Sequence, residues 1–312
     1  MEEQKVSKTL HFFNIALLFA VLFMVFLVDQ KYESKKVEVA KVEEKVKSSE
    51  VFEKLALKAD AVYVYDLAQN KVIYSRNASK QLPLASITKL MTALVAVELL
   101  PDNSSITIRS DFLKEEGDSG LVVSESWKMR DLLDFSLVTS SNDGARSLAS
   151  VIGAVTLNTK DYNLGRKDFI EKMNNQAKKL GLSQTFFVNE TGLDVDSNVS
   201  GGYGSAQDVN NLMKYLLLNY PEVLEPTKYS NIKISSDDKS HSGENTNDFV
   251  GTIPGLFASK TGYTDMAGGN LVVAFDAGLG NPMIITVLGS TQNGRFTDVK
   301  MLTDATLEYL NQ

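Results

Sequence analysis

The stretch Pro83-Leu84-Ala85-Ser86-Ile87-Thr88-Lys89-Leu90-Met91-Thr92-Ala93-Leu94-Val95-Ala96-Val97-Glu98 constrains the rest of this chain more than any other. Pro83 restricts the backbone ahead of it and good helix formers follow without another Gly or Pro, so a helix is expected to begin near Ala85. Leu90, Leu94 and Val97 share one face, while Met91, Ala93 and Val95 leave almost no polar side. Such a helix must be buried nearly all round. It nonetheless holds Lys89, three residues after Ser86 and therefore on the same face, within side-chain reach. A lysine in an apolar setting loses solvation of its charged form, so its pKa falls and it can take a proton from a neighbouring hydroxyl. The unpaired N–H groups and positive dipole at a helix start would also favour negative charge developing beside Ser86. Taken alone, the spacing more often means a serine that caps a helix and a lysine that snorkels to solvent. The rest of the chain has to decide.

Composition removes several chemistries. The net charge of −7 and the lack of a basic cluster interleaved with aromatics argue against nucleic acid as a partner. There is no cysteine, hence no disulfide, thiolate metal site or cysteine nucleophile. Only His11 and His241 are present, and His241, in Ser240-His241-Ser242-Gly243, reads as a loop residue. A Ser-His-Asp triad would depend on that one imidazole, and a zinc site would have one at most. A serine nucleophile here is expected to use a base other than histidine, and neither a metal nor a cofactor is expected.

Along the chain, residues 1–9 precede an almost purely apolar run at 10–28 that suits a single, uncleaved transmembrane anchor. Lysines flank it on both sides, so charge alone leaves its orientation open. Residues 29–50, rich in Lys, Glu and Val, read as a charged stalk, with 51–312 as the catalytic domain. That domain opens on a hairpin, 61–66 and 71–74, and closes on strands at 256–260, 270–275 and 283–288, followed by a helix over 298–310. Helical periodicity marks 131–138, 169–180 and 206–218 in between. The expected fold class is α+β: one antiparallel sheet formed by both ends of the chain, flanked by helices, with a mostly helical subdomain inserted. An active site would lie in the groove between the two parts.

Two further motifs complete a set. Val138-Thr139-Ser140-Ser141-Asn142-Asp143 ends an apolar helix and offers an S-x-N element. Ser259-Lys260-Thr261-Gly262-Tyr263 puts a second lysine on a strand. Each is weak in isolation. In the order S-x-x-K, S-x-N, K-T-G, the first on a buried helix and the last on a strand, they form the motif set of β-lactamases and penicillin-binding proteins. From about Ala61 to Leu310 the chain resembles the serine D-alanyl-D-alanine carboxypeptidases, the low-molecular-mass penicillin-binding proteins of the β-lactamase/transpeptidase-like superfamily. Ser141-Asn142-Asp143-Gly144-Ala145, Phe187-Val188-Asn189 and Gly192-Leu193-Asp194 add to that likeness.

The resemblance implies that Ser86 attacks the carbonyl between the terminal D-alanines of a peptidoglycan stem peptide, with Lys89 accepting its proton. Ser140 would relay a proton to the leaving amine and Asn142 would hold the substrate backbone. Lys260 would keep the field positive beside Ser140, and Thr261 would bind the terminal carboxylate with it. The oxyanion would rest between the backbone N–H groups of Ser86 and Tyr263. Gly262 would leave room for substrate lying along the strand edge. β-Lactams should acylate the same serine. The resemblance also places the catalytic domain on the extracytoplasmic face of the cytoplasmic membrane, residues 1–9 inside. Three departures are visible: Ser141 stands where relatives commonly have glycine, no arginine occurs near Pro282, and the C-terminal β-domain of many relatives has no counterpart, the anchor being expected to replace it. Alternatives are a D,D-endopeptidase acting on cross-links, a class A-like β-lactamase using Glu190, or an inactive wall-binding protein.

Overall fold

The computed structural model describes residues 50–312 except 118, 119 and 279. The expected anchor, and the stalk up to its last residue, lie outside the described residues. Among the described residues no helix is long and apolar enough to cross a membrane. Residue 50 itself opens a short helix, α1 (Glu50–Glu53), whose Phe52 is fully buried and stacked on Tyr74 at 5.0 Å.

The N-terminal hairpin is β1 (Ala61–Asp66) with β2 (Lys71–Arg76), the second strand running two residues beyond expectation. Short strands β3 (Leu82–Pro83), β6 (Phe186–Phe187) and β7 (Gly202–Gly204) form a small sheet of their own, and β4 (Ser105–Thr107) pairs with β5 (Ser126–Lys128). The chain ends on β10 (Leu256–Thr264), β11 (Gly268–Asp276) and β12 (Pro282–Ser290). The main sheet runs β10-β11-β12-β1-β2, with β1 antiparallel to β12 in a register that sets Ala61 opposite Leu288 and Asp66 opposite Met283. The first and last strands of the domain are therefore neighbours, as the sequence led us to expect.

Successive strand residues face opposite sides of the sheet, and here both sides are covered. Tyr63, Tyr65, Ala274, Ile284 and Leu288 pack into the core shared with the helices of the insert. Val62, Val64, Val273, Ile285 and Val287 pack beneath α8 (Gly294–Leu310) with Phe296, Val299 and Leu302. Two-sided burial is why β12 reads as a nearly continuous apolar run.

The insert is helical. A four-residue 3-10 turn, Ala85–Thr88, leads into α2 (Lys89–Leu99), so the α-helix expected to begin near Ala85 begins four residues later. Lys89 to Ala96 are all buried, in keeping with a helix that has no polar side. Next come α3 (Met129–Val138), α4 (Asn142–Thr156), α5 (Tyr162–Lys179), α6 (Ala206–Asn219) and the short α7 (Pro221–Leu224). Helix α4 was not anticipated, and α5 starts seven residues before the expected 169, at an Asp161 cap that accepts from the N–H groups of Asn163 and Leu164.

His241 is not in a loop. It lies in β9 (Ser240–Glu244), paired with β8 (Asn231–Ser235). Its ring packs 4.7 Å from the Trp127 ring and its Nε2 lies 3.1 Å from Oε1 of the buried Glu125, a structural seat.

Candidate active site

Three segments meet at Ser86. The 3-10 turn presents it, the link between α3 and α4 supplies Ser140, the first residue of α4 supplies Asn142, and β10 supplies Lys260. Two of these segments bend through unusual backbone: Ala85, just before the nucleophile candidate, has φ 48°, and Ser140 has φ 59°. Left-handed backbone at non-glycine residues is costly and persists only where surrounding packing enforces it. Directly after Ser140, Ser141 caps α4, its hydroxyl accepting from Gly144 N at 2.9 Å, while Gly192 packs against the Ala85 carbonyl.

The Lys89 amine is 2.9 Å from Ser86 Oγ, 2.7 Å from Asn142 Oδ1 and 2.8 Å from the Thr191 carbonyl. With 2% exposure Lys89 is cut off from water, and burial pulls its pKa down to about 7 against the opposing pull of Glu190 and Glu115. A neutral amine has two N–H donors and one lone pair. Asn142 and Thr191 offer only acceptors, so they take the N–H groups and leave the lone pair for the Ser86 hydroxyl. This is the arrangement a general base needs.

Lys260, equally buried, donates to Ser140 Oγ at 2.9 Å and to the Thr261 carbonyl at 3.1 Å. Burial, then the nearby charges of Lys89 and Arg295, hold its pKa well below the usual lysine range. Thr261 is buried and bonded side chain to side chain with Thr246, and Tyr263, at 42% exposure, forms the rim. A cavity of about 220 Å³ opens beside Ser140, bounded by Glu116, Thr139, Asn142, Gly243 and Glu244.

Gly262 has a different reason from the one expected. A Cβ there would come within 2.8 Å of the Leu84 carbonyl oxygen and 3.2 Å of Ile87 N, pressing on the turn that presents Ser86 rather than on the strand edge. An arginine not singled out in the sequence, Arg295 in the first turn of α8, donates to the Gly262 carbonyl at 2.7 Å. Sequence reasoning missed it because nothing local marks it; only the return of α8 across the sheet sets it behind β10. Glu190 is fully buried with both carboxylate oxygens taken by Arg166 Nε, at 2.8 and 2.9 Å. Full burial against Arg166 favours a structural seat for this carboxylate, which weighs against the class A β-lactamase alternative. Among the described residues no cluster of His, Cys, Asp and Glu could hold a metal ion.

The fold and this double serine–lysine arrangement define the class of penicillin-binding serine enzymes. A penicillin-binding protein of Listeria monocytogenes in its ampicillin-bound form superposes with a TM-score of 0.68 at 33% identity, covering 81% of this chain and 98% of that one. A D-alanyl-D-alanine carboxypeptidase of Mycobacterium tuberculosis gives 0.70 at 25% identity, covering 81% and 92%. The chain belongs to the D-alanyl-D-alanine carboxypeptidase family, whose model matches residues 45–292. Among relatives, the carboxypeptidase DacF of Bacillus subtilis is 30% identical over 266 residues, 82% of this chain and 64% of that protein. The D-alanyl-D-alanine endopeptidase of Escherichia coli is 33% identical over 216 residues, 67% of this chain and again 64% of that protein. The match thus spans a little under two thirds of each of these relatives.

Proposed function

We propose that this chain is a serine D-alanyl-D-alanine carboxypeptidase that removes the terminal D-alanine from peptidoglycan stem peptides through an acyl-enzyme on Ser86, and that β-lactams acylate the same residue. The observation that supports this best is the buried Lys89 amine 2.9 Å from the Ser86 hydroxyl, with its pKa near 7. In this reading Lys89 takes the Ser86 proton as the hydroxyl attacks. Ser140, bonded to Lys260, passes a proton to the departing D-alanine amine, and water then hydrolyses the ester. Asn142 orients both Lys89 and the substrate backbone. Lys260 and Thr261 supply hydrogen-bonding surroundings for the terminal carboxylate, Arg295 adds positive charge behind them, and the N–H groups of Ser86 and Tyr263 receive the oxyanion. The apolar run at 10–28 would anchor the chain in the cytoplasmic membrane, with 29–50 as stalk and 51–312 on the extracytoplasmic side.

Endopeptidase action on cross-linked stems is the second reading, favoured by the 33% identity to a protein named for that activity. Mass spectrometry of muropeptides incubated with the purified protein tests both. Loss of one alanine from pentapeptides supports carboxypeptidase action, conversion of dimers to monomers supports the endopeptidase, and no change contradicts both.

A further inference from the structure

Beside the serine–lysine pair lies a turn that the reaction as described does not use. Asn189 organises it: its Oδ1 accepts from Thr191 N at 3.2 Å, Thr191 Oγ1 at 3.0 Å and Gly192 N at 2.7 Å, while its Nδ2 donates to the Leu193 carbonyl at 2.9 Å. The turn grips successive turns of α2. The Thr191 carbonyl accepts from Lys89, and three residues on, Thr92 Oγ1 donates to the Glu190 carbonyl at 2.7 Å. On its other side the turn is tied to α5, because the fully buried Glu190 carboxylate takes Arg166 Nε on both oxygens.

We propose that Glu190 is a positioning residue for Lys89: its ion pair with Arg166 and its carbonyl bond to Thr92 hold the Thr191 carbonyl where it orients the Lys89 amine toward Ser86. Breaking a buried ion pair leaves an uncompensated charge, so this clamp resists displacement in a way that a carbonyl in an ordinary loop would not. The same carboxylate also acts through space. Its negative charge supports the protonated form of Lys89, as does that of Glu115, which is itself paired with Arg146. Lys260, facing the site from β10, is itself pushed toward the neutral form by burial and by the charge of Lys89. Asp143, at the start of α4, accepts from Glu115 N and sits behind that pair. Among these groups Glu190 is the one that acts on the base both through charge and through the neighbouring Thr191 carbonyl, which accepts from the Lys89 amine.

The proposal rests on Ser86 acylation, and the test separates the two. The full-length protein and two variants are labelled with a fluorescent penicillin, and the labelling rate is followed from about pH 5 to about pH 9, the range that brackets the base. Glu190→Gln keeps the side-chain shape and an acceptor for Arg166 while removing the charge. Its acid limb is expected to move to lower pH by on the order of one unit, the scale set by a nearby opposite charge. Thr92→Val loosens only the carbonyl grip, and its labelling rate is expected to fall roughly five-fold with the limb unmoved. A Glu190→Gln limb coincident with that of the unsubstituted protein overturns the proposal. If Glu190→Gln does not fold, Thr92→Val decides alone, and an unchanged rate overturns the proposal. Failure of the unsubstituted protein to label at all would instead overturn the acyl-enzyme reading.

Discussion

Lys89 on α2 and Lys260 on β10 each hold a serine hydroxyl at 2.9 Å, Ser86 and Ser140 respectively, and the link from Ser140 to Asn142 joins the two pairs because Asn142 Oδ1 also accepts from Lys89. Burial holds both amines below the usual lysine range, and the charge of Lys89 adds to the effect on Lys260, so each has an unprotonated lone pair available nearer neutral pH than a solvated lysine would. For Lys89 that burial, against the opposing pull of Glu190 and Glu115, is the physical basis of the proposed chemistry.

The first prediction concerns pH. The folded Lys89 pKa lies near 7, below its ordinary value of 10.5. Acylation by a penicillin should therefore rise with pH through about 7 as the amine loses its proton, and fall away on the acid side. A stopped-flow or gel-based rate profile checks it, and a rate that is flat between about pH 5.5 and about pH 8.5 would remove Lys89 as the base. Linkage gives a second sign. Between about 7 and 10.5 the unfolded chain holds a proton on Lys89 that the folded chain does not, so this group's contribution to stability increases with pH across that window.

Gly192 has φ 83°, and a Cβ there would overlap the Ala85 carbonyl, directly before Ser86. Gly192→Ala should cost about 2 kcal/mol of stability or more and lower the acylation rate more than the stability loss explains. Thermal melts alongside penicillin labelling of the folded fraction measure both. Native-like labelling of that fraction would show that the turn tolerates the displacement.

Much of this architecture was legible in the sequence, and what was not has identifiable causes. The hairpin, the three closing strands and the buried α2 stood out because each repeats an apolar pattern with little interruption. Helix α4 was hidden by Gly144 and Gly153, which lower helix propensity. The structure needs glycine at 153 because the backbone of Gly165 in α5 lies against it, leaving no room for a Cβ, a tertiary demand that local propensity does not reveal. The β8–β9 hairpin was hidden in a similar way, since its strands are short, polar and half exposed. The S-x-x-K spacing announced the Ser86–Lys89 contact, whereas Arg295 and the Arg166–Glu190 clamp depend on how distant helices return.

His241 belongs to stability in this account. Glu125, at 3% exposure, accepts from Val122 N, Trp127 Nε1 and the His241 ring, joining β5 to β9. Glu125→Ala should therefore destabilise the protein by about 2–4 kcal/mol, because it strands several buried donors together. Denaturant titration checks the size of the loss, and a change within about 0.5 kcal/mol, the range of ordinary surface substitutions, would show that the cluster contributes little.

Arg295 donates to the Gly262 carbonyl and adds positive charge beside Lys260. Arg295→Met should weaken binding of carboxylate-bearing substrates, raising KM by about ten-fold or more with a smaller change in kcat, in line with loss of one charge-assisted contact. Steady-state kinetics on a peptide ending in D-alanyl-D-alanine read this out, and a fall confined to kcat would assign Arg295 to the chemical step instead.

The central claim is that Ser86 forms the covalent intermediate with Lys89 as its base. Peptide mapping by mass spectrometry after brief exposure of the purified protein to benzylpenicillin tests it most directly. The account predicts a single penicilloyl group on Ser86, absent from Ser86→Ala and strongly reduced in Lys89→Met. An adduct on any other residue, or full labelling of Ser86 in Lys89→Met, would contradict it.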